Sequence, residues 1–225
     1  MKLNIDCPIL MINLDRSPER LEFQKKQFEE HGLQFERFPA VDGRKDNSEL
    51  LNSIKLSDKW STMSNGQKGC ALSHYLILKK MVNENIDKLI VFEDDVILCE
   101  DFISNFNEYY DSVHLNYDII YLGSQYSDED FKKYKHLKTV NIGTFTTHAI
   151  IYTKKMAEKM LRFINENGLY IIDITYIDET RKHLLSVICY IKEPSEDITN
   201  KYKLIKNRSY GLCYQSDLFQ STIHQ

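Results

Sequence analysis

The stretch KLIVFEDD at residues 88–95 constrains this chain most: an apolar run that stops at three adjacent carboxylates. Leu89, Ile90, Val91 and Phe92 have the unbroken hydrophobicity of a strand covered on both faces, as in a mostly parallel sheet. Glu93, Asp94 and Asp95 then fall at that strand's carboxyl end, where open α/β sheets place their ligand crevices. Three neighbouring carboxylates repel one another unless a cation neutralises them. All-oxygen ligation suits a hard divalent ion, Mg²⁺ or Mn²⁺, which can in turn hold a phosphate. A solvated acidic turn is the alternative that the triplet alone leaves open.

The flanking pattern extends the α/β reading. Residues 9–14 form a first strand, after which Ser17, Pro18 and Glu19 supply an N-cap, a first helical residue and a first-turn acid. Leu21, Phe28 and Leu33 give that helix a partial apolar stripe, and Gly32 stops it. Residues 35–41 make a second strand, turning at Asp42-Gly43, so the unit is a parallel βαβ crossover. Residues 44–65 show no period and read as a long excursion, functional or mobile. Cys70, Leu72, Leu76, Ile77, Met81 and Val82 mark an amphipathic helix over 67–85. Further helices are expected over 102–115, 154–165 and, more weakly, 173–183, with strands over 117–122, 149–152 and 186–191. From residue 194 the pattern dissolves. The expectation is a single domain over 1–225, with a core at about 8–192 and a polar C-terminal extension over 193–225.

Composition narrows the partners. A formal charge of −4 and a pI near 6.0 give no general basic field, so nucleic acid is not expected as a partner. The cysteines Cys7, Cys70, Cys99, Cys189 and Cys213 include no C-x-x-C pair, which argues against a zinc ribbon or a thioredoxin-like site. They read as reduced thiols in a reducing compartment. The N-terminus lacks the h-region of a signal peptide, and no apolar stretch is long enough to span a bilayer. A soluble, cytoplasmic protein is expected. Peripheral contact with the inner face of a membrane stays open because it needs only a small patch. The oligomeric state is not legible.

Four segments, in order, resemble the family 25 glycosyltransferases, which include lipooligosaccharide sugar transferases and relatives of the collagen galactosyltransferases. They are INLDRSPER at 12–20 with FPAVDGR at 38–44, NGQKGCALSHYLILKKMV at 65–82, VFEDDVIL at 91–98, and GTFTTHAIIYTKKMAEKML at 143–161. Together they cover most of residues 9–161. The resemblance implies a GT-A-like, Rossmann-like fold, a mostly parallel sheet flanked by helices, whose acidic motif grips Mn²⁺ or Mg²⁺. It implies a nucleotide-sugar donor, UDP-galactose first among UDP-hexoses, and a glycan or glycolipid acceptor such as lipooligosaccharide. A hydroxylysine-bearing collagen-like protein is the second acceptor class. After residue 165 the match loosens: YIIDIT at 170–175 meets the family's aspartate segment only at Asp173, and KEPS at 192–195 resembles a later glutamate-proline element.

Sugar transfer from a nucleoside diphosphate requires a neutralised leaving group, an oriented hydroxyl and an acceptor for its proton. Asp95 is the leading metal ligand, with Glu93 beside it; Glu93 and Asp94 are also candidates for the ribose or a metal-bound water. Arg16 and Arg20 follow the first strand, where a guanidinium pairs with phosphate, stacks on a base, or pairs with Glu19 or Glu22 on the helix surface. Asn13 and Asp15 share that rim, and the resemblance adds Asp42 as a nucleotide contact. Gly66 and Gly69 permit close backbone approach to an anion, and Ser73 and His74 follow within one turn. His74 is a catalytic candidate or a hydrogen-bonded structural residue, and Cys70 a core one. Thr146, Thr147 and His148 are candidates for the donor sugar or acceptor, or for a turn. Asp173 is the candidate general base, with Asp178 and His183 as alternatives. The loop carrying Tyr126 and Tyr134 reads as surface, with a lid or acceptor platform as the alternative. A nucleotidyltransferase is disfavoured because no glycine- and lysine-rich phosphate loop follows the first strand. A catalytically silent glycan-binding module of the same fold is the remaining rival.

Overall fold

The structure is a computed structural model that describes residues 2–113, 116–125, 139–140, 144, 146–182, 185–190, 194–202, 204 and 210–216. β1 (Ile9–Asn13), α1 (Pro18–Glu30) and β2 (Glu36–Pro39) form the expected parallel βαβ unit. α2 (Ser48–Leu51) and α3 (Asn65–Asn83) lead into β3 (Lys88–Glu93) and the short β4 (Val96–Leu98). Then come α4 (Phe102–Asp111), β5 (Ile119–Tyr121), β6 (Gly123–Ser124), β7 (Thr139–Val140) and β8 (Ala149–Thr153). α5 (Lys154–Asn167), α6 (Ile172–Arg181), β9 (Val187–Tyr190), α7 (Glu196–Lys201), β10 (Tyr210–Gly211) and β11 (Cys213–Gln215) follow.

Seven described strands make the central sheet in the order β2-β1-β3-β8-β5-β9-β7. Only β8 and β7 run against the rest, so the mostly parallel α/β layout is met. β3 lies inside the sheet, and its run of apolar residues feeds both faces. Leu89 and Val91 pack with Leu72, Ile77 and Met81 of α3 and Met160 of α5. Ile90 and Phe92 pack with Phe28 of α1 and with Phe102 and Phe106 of α4. This two-sided burial is why the run carries no alternation.

The apolar stripe of α1 is partial for a physical reason. Its buried face is Arg20, Gln24, Gln27 and Phe28. Gln24 Nε2 donates to the carbonyls of Asp94 (3.1 Å) and Val96 (2.9 Å), and Gln27 Oε1 accepts from Leu98 N at 3.0 Å. The helix therefore satisfies the turn after β3, whose backbone groups would otherwise be buried without partners.

Two expectations need correction. Residues 44–65 are no free excursion. Ile54 and Met63 are buried, and backbone bonds join Ser57 N to Leu169 O (3.1 Å) and Leu169 N to Lys55 O (2.8 Å). Apolar side chains that meet the end of α5 singly leave no period to read. Nor do the described residues after 194 form a polar tail. Ser195 caps α7, β10 pairs with β6, and β11 pairs with β4, burying Tyr210, Leu212, Cys213 and Tyr214. Strands this short carry too few residues to show alternation.

All five cysteines are free, with Cys99, Cys189 and Cys213 buried. Among the described residues no helix is long and apolar enough to cross a membrane.

Candidate active site

The three carboxylates at the end of β3 point to three different sets of partners. Asp94 is buried and accepts from Asn13 Nδ2 at 2.7 Å and from Arg20 Nη1 at 3.0 Å. Burial pushes its pKa up, with the Arg20 charge opposing. Arg20, a candidate for a phosphate, a base or an ion pair with Glu19 or Glu22, makes a buried ion pair with Asp94. Asn13 also accepts from Arg37 Nε at 3.0 Å, and Arg37 reaches on to the exposed Asp15. Sequence reasoning missed Arg37. In the sheet Arg37 of β2 stands opposite Met11 of β1, and only its long side chain reaches the polar end of β1.

Glu93 Oε1 accepts from Thr147 Oγ1 at 2.6 Å and lies 3.2 Å from His74 Nε2. Behind His74, Tyr152 OH sits 2.9 Å from Nδ1 and itself accepts from Tyr176 OH at 3.2 Å. Since Tyr176 donates to Tyr152, the Tyr152 hydrogen is available to Nδ1, which leaves Nε2–H to donate to Glu93. Burial raises the Glu93 pKa, but the His74 and Thr147 contacts outweigh it, so this carboxyl titrates below its ordinary range. His74 is therefore placed to hold Glu93 in position. Tyr152 and Tyr176 escaped notice because each stands in a buried run that its ring alone explains.

Asp95 accepts from Gln215 Nε2 of β11 at 2.7 Å, while its Oδ1 is buried with no hydrogen-bond partner among the described residues. Burial, then the charges of Glu93 and Asp94, push its carboxyl up to about 7. An orphaned acceptor beside a second carboxylate fits a hard divalent cation held by Asp95 and Glu93. Gln215 was invisible to sequence reasoning, which had ended the core before it. Asp173, in the first turn of α6, is raised by burial and by the negative charge of Glu93, so it belongs to the same electrostatic cluster.

A pocket with a cavity volume of about 80 Å³ opens beside this cluster, lined among others by Asn13, Arg16, Asp42, Gly66, His74 and Glu93. Arg16 Nε meets Asp42 Oδ2 at 3.0 Å, and Arg44 holds the Asp42 carboxyl well below the usual carboxylate range. The first turn of α3, capped by Ser64 and Gln67, contributes Asn65 and Gly66, and its positive dipole end favours phosphate. Asp15, Arg20, Asp95, Thr147, His148 and Asp173 do not line this pocket.

Several candidates have structural tasks. Ser73 Oγ accepts from Val41 N at 2.9 Å and donates to Gly69 O at 2.7 Å, fastening the loop after β2 to α3. Gly69 abuts that loop, where a Cβ would lie 2.5 Å from Val41 O, and both Gly69 and Ser73 also line the pocket, as expected of binding-site residues. His148 is fully buried, with Nδ1 on Thr146 Oγ1 and Nε2 3.3 Å from Cys213 O. Burial lowers its pKa, and the ring bridges the start of β8 to β11 through the Cys213 carbonyl. Asp178 is exposed, while His183, Lys192, Glu193 and the loop with Tyr126 and Tyr134 lie outside the described residues. At Gly43 a Cβ would come 2.0 Å from Asn65 O, a backbone atom that cannot swing away. Gly43→Ala is therefore expected to lower stability by about 1–3 kcal/mol, read as a smaller denaturant midpoint with unchanged slope. An unchanged midpoint would show the loop to be loosely held.

Comparison with known proteins gives the family of the chain. The model of the family described as glycosyltransferase family 25 (LPS biosynthesis protein) matches residues 6–198. A "Glycosyltransferase 25 family member" of Drosophila pseudoobscura pseudoobscura is 35% identical over 139 residues, 57% of this chain and 22% of that one. "Inactive glycosyltransferase 25 family member 3" of Mus musculus is 29% identical over 161 residues, 66% and 27% of the two chains. "Lipooligosaccharide biosynthesis protein lic2B" of Haemophilus influenzae is 24% identical over 184 residues, 79% and 63%. The match to the insect protein thus spans about a fifth of that protein's length. With the family model covering most of its length, this chain belongs to glycosyltransferase family 25.

Proposed function

We propose that this chain transfers a hexose from a nucleoside diphosphate sugar, UDP-galactose in the first instance, to a hydroxyl of lipooligosaccharide or another cell-surface glycan. The observation that carries the reading is the buried, unpartnered Asp95 oxygen beside Glu93 at the carboxyl end of β3. Asp95 and Glu93 would hold Mn²⁺ or Mg²⁺, which supplies Lewis-acid neutralisation of the departing diphosphate. Arg16 and the N-terminal turn of α3 supply positive potential along the pocket for the same phosphates. Asn13 and Asp42 shape the nucleotide end. His74 and Thr147 keep Glu93 ionised and oriented. Asp173 is the base: Ile174 N donates to its Oδ1 at 2.7 Å and orients the carboxyl that takes the acceptor's proton. Its raised pKa brings it closer to the operating pH of a general base.

Thermal unfolding with a panel of nucleotide sugars, with and without Mn²⁺, tests the reading. A UDP-hexose at a hundredfold excess over its Kd is expected to raise Tm by about 5 °C or more, only with the metal. Release of UDP rather than pyrophosphate then separates sugar transfer from nucleotidyl transfer. The mouse relative's designation as inactive favours one second reading, a catalytically silent glycan-binding module. Glycan binding with no donor shift and no UDP release would establish that instead.

A further inference from the structure

Beside the all-oxygen pair lies a second donor set of different chemistry. Cys70 and His74 stand one turn apart on α3, and Glu93 faces them from the end of β3. One ligand atom from each, a thiol sulfur, an imidazole nitrogen and a carboxylate oxygen, lie within 4.8 Å of one another. All three residues line the pocket, with the His74 ring buried in its wall. Tyr152 holds the far nitrogen of His74 at 2.9 Å, the outer contact that fixes the ring of a metal-bound histidine. Thr147 Oγ1, 3.7 Å from the Cys70 sulfur and 2.6 Å from Glu93 Oε1, ties the remaining two together.

Mixed sulfur, nitrogen and oxygen donors select a borderline-soft ion over Mg²⁺ or Mn²⁺. We propose that Cys70, His74 and Glu93 form a tetrahedral Zn²⁺ site on the pocket wall, with water from the pocket as fourth ligand. On binding, the Cys70 S–H bond breaks, an S–Zn bond forms and the proton passes to solvent. His74 takes the tautomer with its proton on Nδ1, facing Tyr152, and gives Nε2 to the ion. No C-x-x-C pair announces this site; its signal in the sequence is a Cys and a His four apart on one helix face. A consequence follows that rests on the transferase reading: zinc withdraws Glu93 from its pairing with Asp95, so it inhibits sugar transfer.

Cobalt(II) is the spectroscopic probe. The reduced full-length chain titrated with Co²⁺ is expected to develop a near-ultraviolet thiolate-to-cobalt charge-transfer band that saturates at one equivalent and is bleached by Zn²⁺. Cys70→Ser removes the band with the far-ultraviolet circular dichroism unchanged. Glu93→Gln keeps the band but weakens cobalt binding at least about tenfold. No band in the wild-type chain, or a band that survives Cys70→Ser, overturns the proposal. If Cys70→Ser does not fold, unweakened cobalt binding by Glu93→Gln overturns it equally. These readouts involve neither donor nor turnover, so their failure leaves the transferase reading standing, and the reverse also holds.

Discussion

Asp95→Asn should abolish divalent-dependent sugar transfer, lowering kcat by about 10²–10³-fold, while leaving the metal-free protein no less stable at pH 8. The substitution keeps shape and the contact to Gln215 but removes the charge that a cation would meet. Stability moves the other way because burial and the neighbouring Glu93 and Asp94 disfavour the ionised form, raising Asp95 from its ordinary 3.8 to about 7. A carboxyl whose folded-state pKa is raised stabilises the fold when protonated. Its contribution is complete below pH 3.8 or so and is lost as the pH rises through about 7. Wild-type protein in chelator should therefore show a denaturant midpoint that falls across that window, and Asp95→Asn should lack this component. Mn²⁺ binding displaces the same proton, so its affinity should weaken as the pH drops below about 7. Full turnover in Asp95→Asn, or in excess chelator, would remove Asp95 from the metal site.

The acidic end of β3 and the sheet around it were legible because burial on two faces writes an unbroken apolar run into the sequence, and the polar residues that end it mark the rim. The partners of each carboxylate were not. Arg20 meets Asp94 across 74 positions, and Gln215 meets Asp95 across 120, separations that no local pattern encodes. Gln24 and Gln27 were not singled out, because a helix face that satisfies a buried turn has the same residue types as one that faces water. The segment bearing Gln215 lies beyond residue 198, where the family match ends, so neither period nor resemblance pointed to it. Thr147 and His148 were both singled out, yet Thr147 meets Glu93 while His148 turns to Thr146 and the Cys213 carbonyl. Alternation along the strand separates neighbours by face, and only the sheet tells which face holds the site.

Arg20→Ala carries the largest expected loss of stability, about 3–5 kcal/mol, because it leaves the Asp94 carboxylate buried with its charge uncompensated. Both side chains are about nine-tenths buried, at 8% and 11% exposure, so solvent does little to screen what is lost. Asn13 still donates to Asp94 at 2.7 Å, which limits the damage without replacing the charge. The double variant Arg20→Met, Asp94→Asn should recover most of the loss, since a neutral amide and an apolar side chain of similar length need no counter-ion. Urea unfolding of the single and double variants measures both effects, and the coupling between them isolates the pair. The alternative assigns Arg20 to the donor phosphates. It requires Arg20→Ala to fold within about 1 kcal/mol of wild type and to raise KM for the nucleotide sugar. The geometry predicts the opposite order: folding suffers first, and donor affinity changes only as far as the turn carrying Glu93 and Asp95 is released from α1.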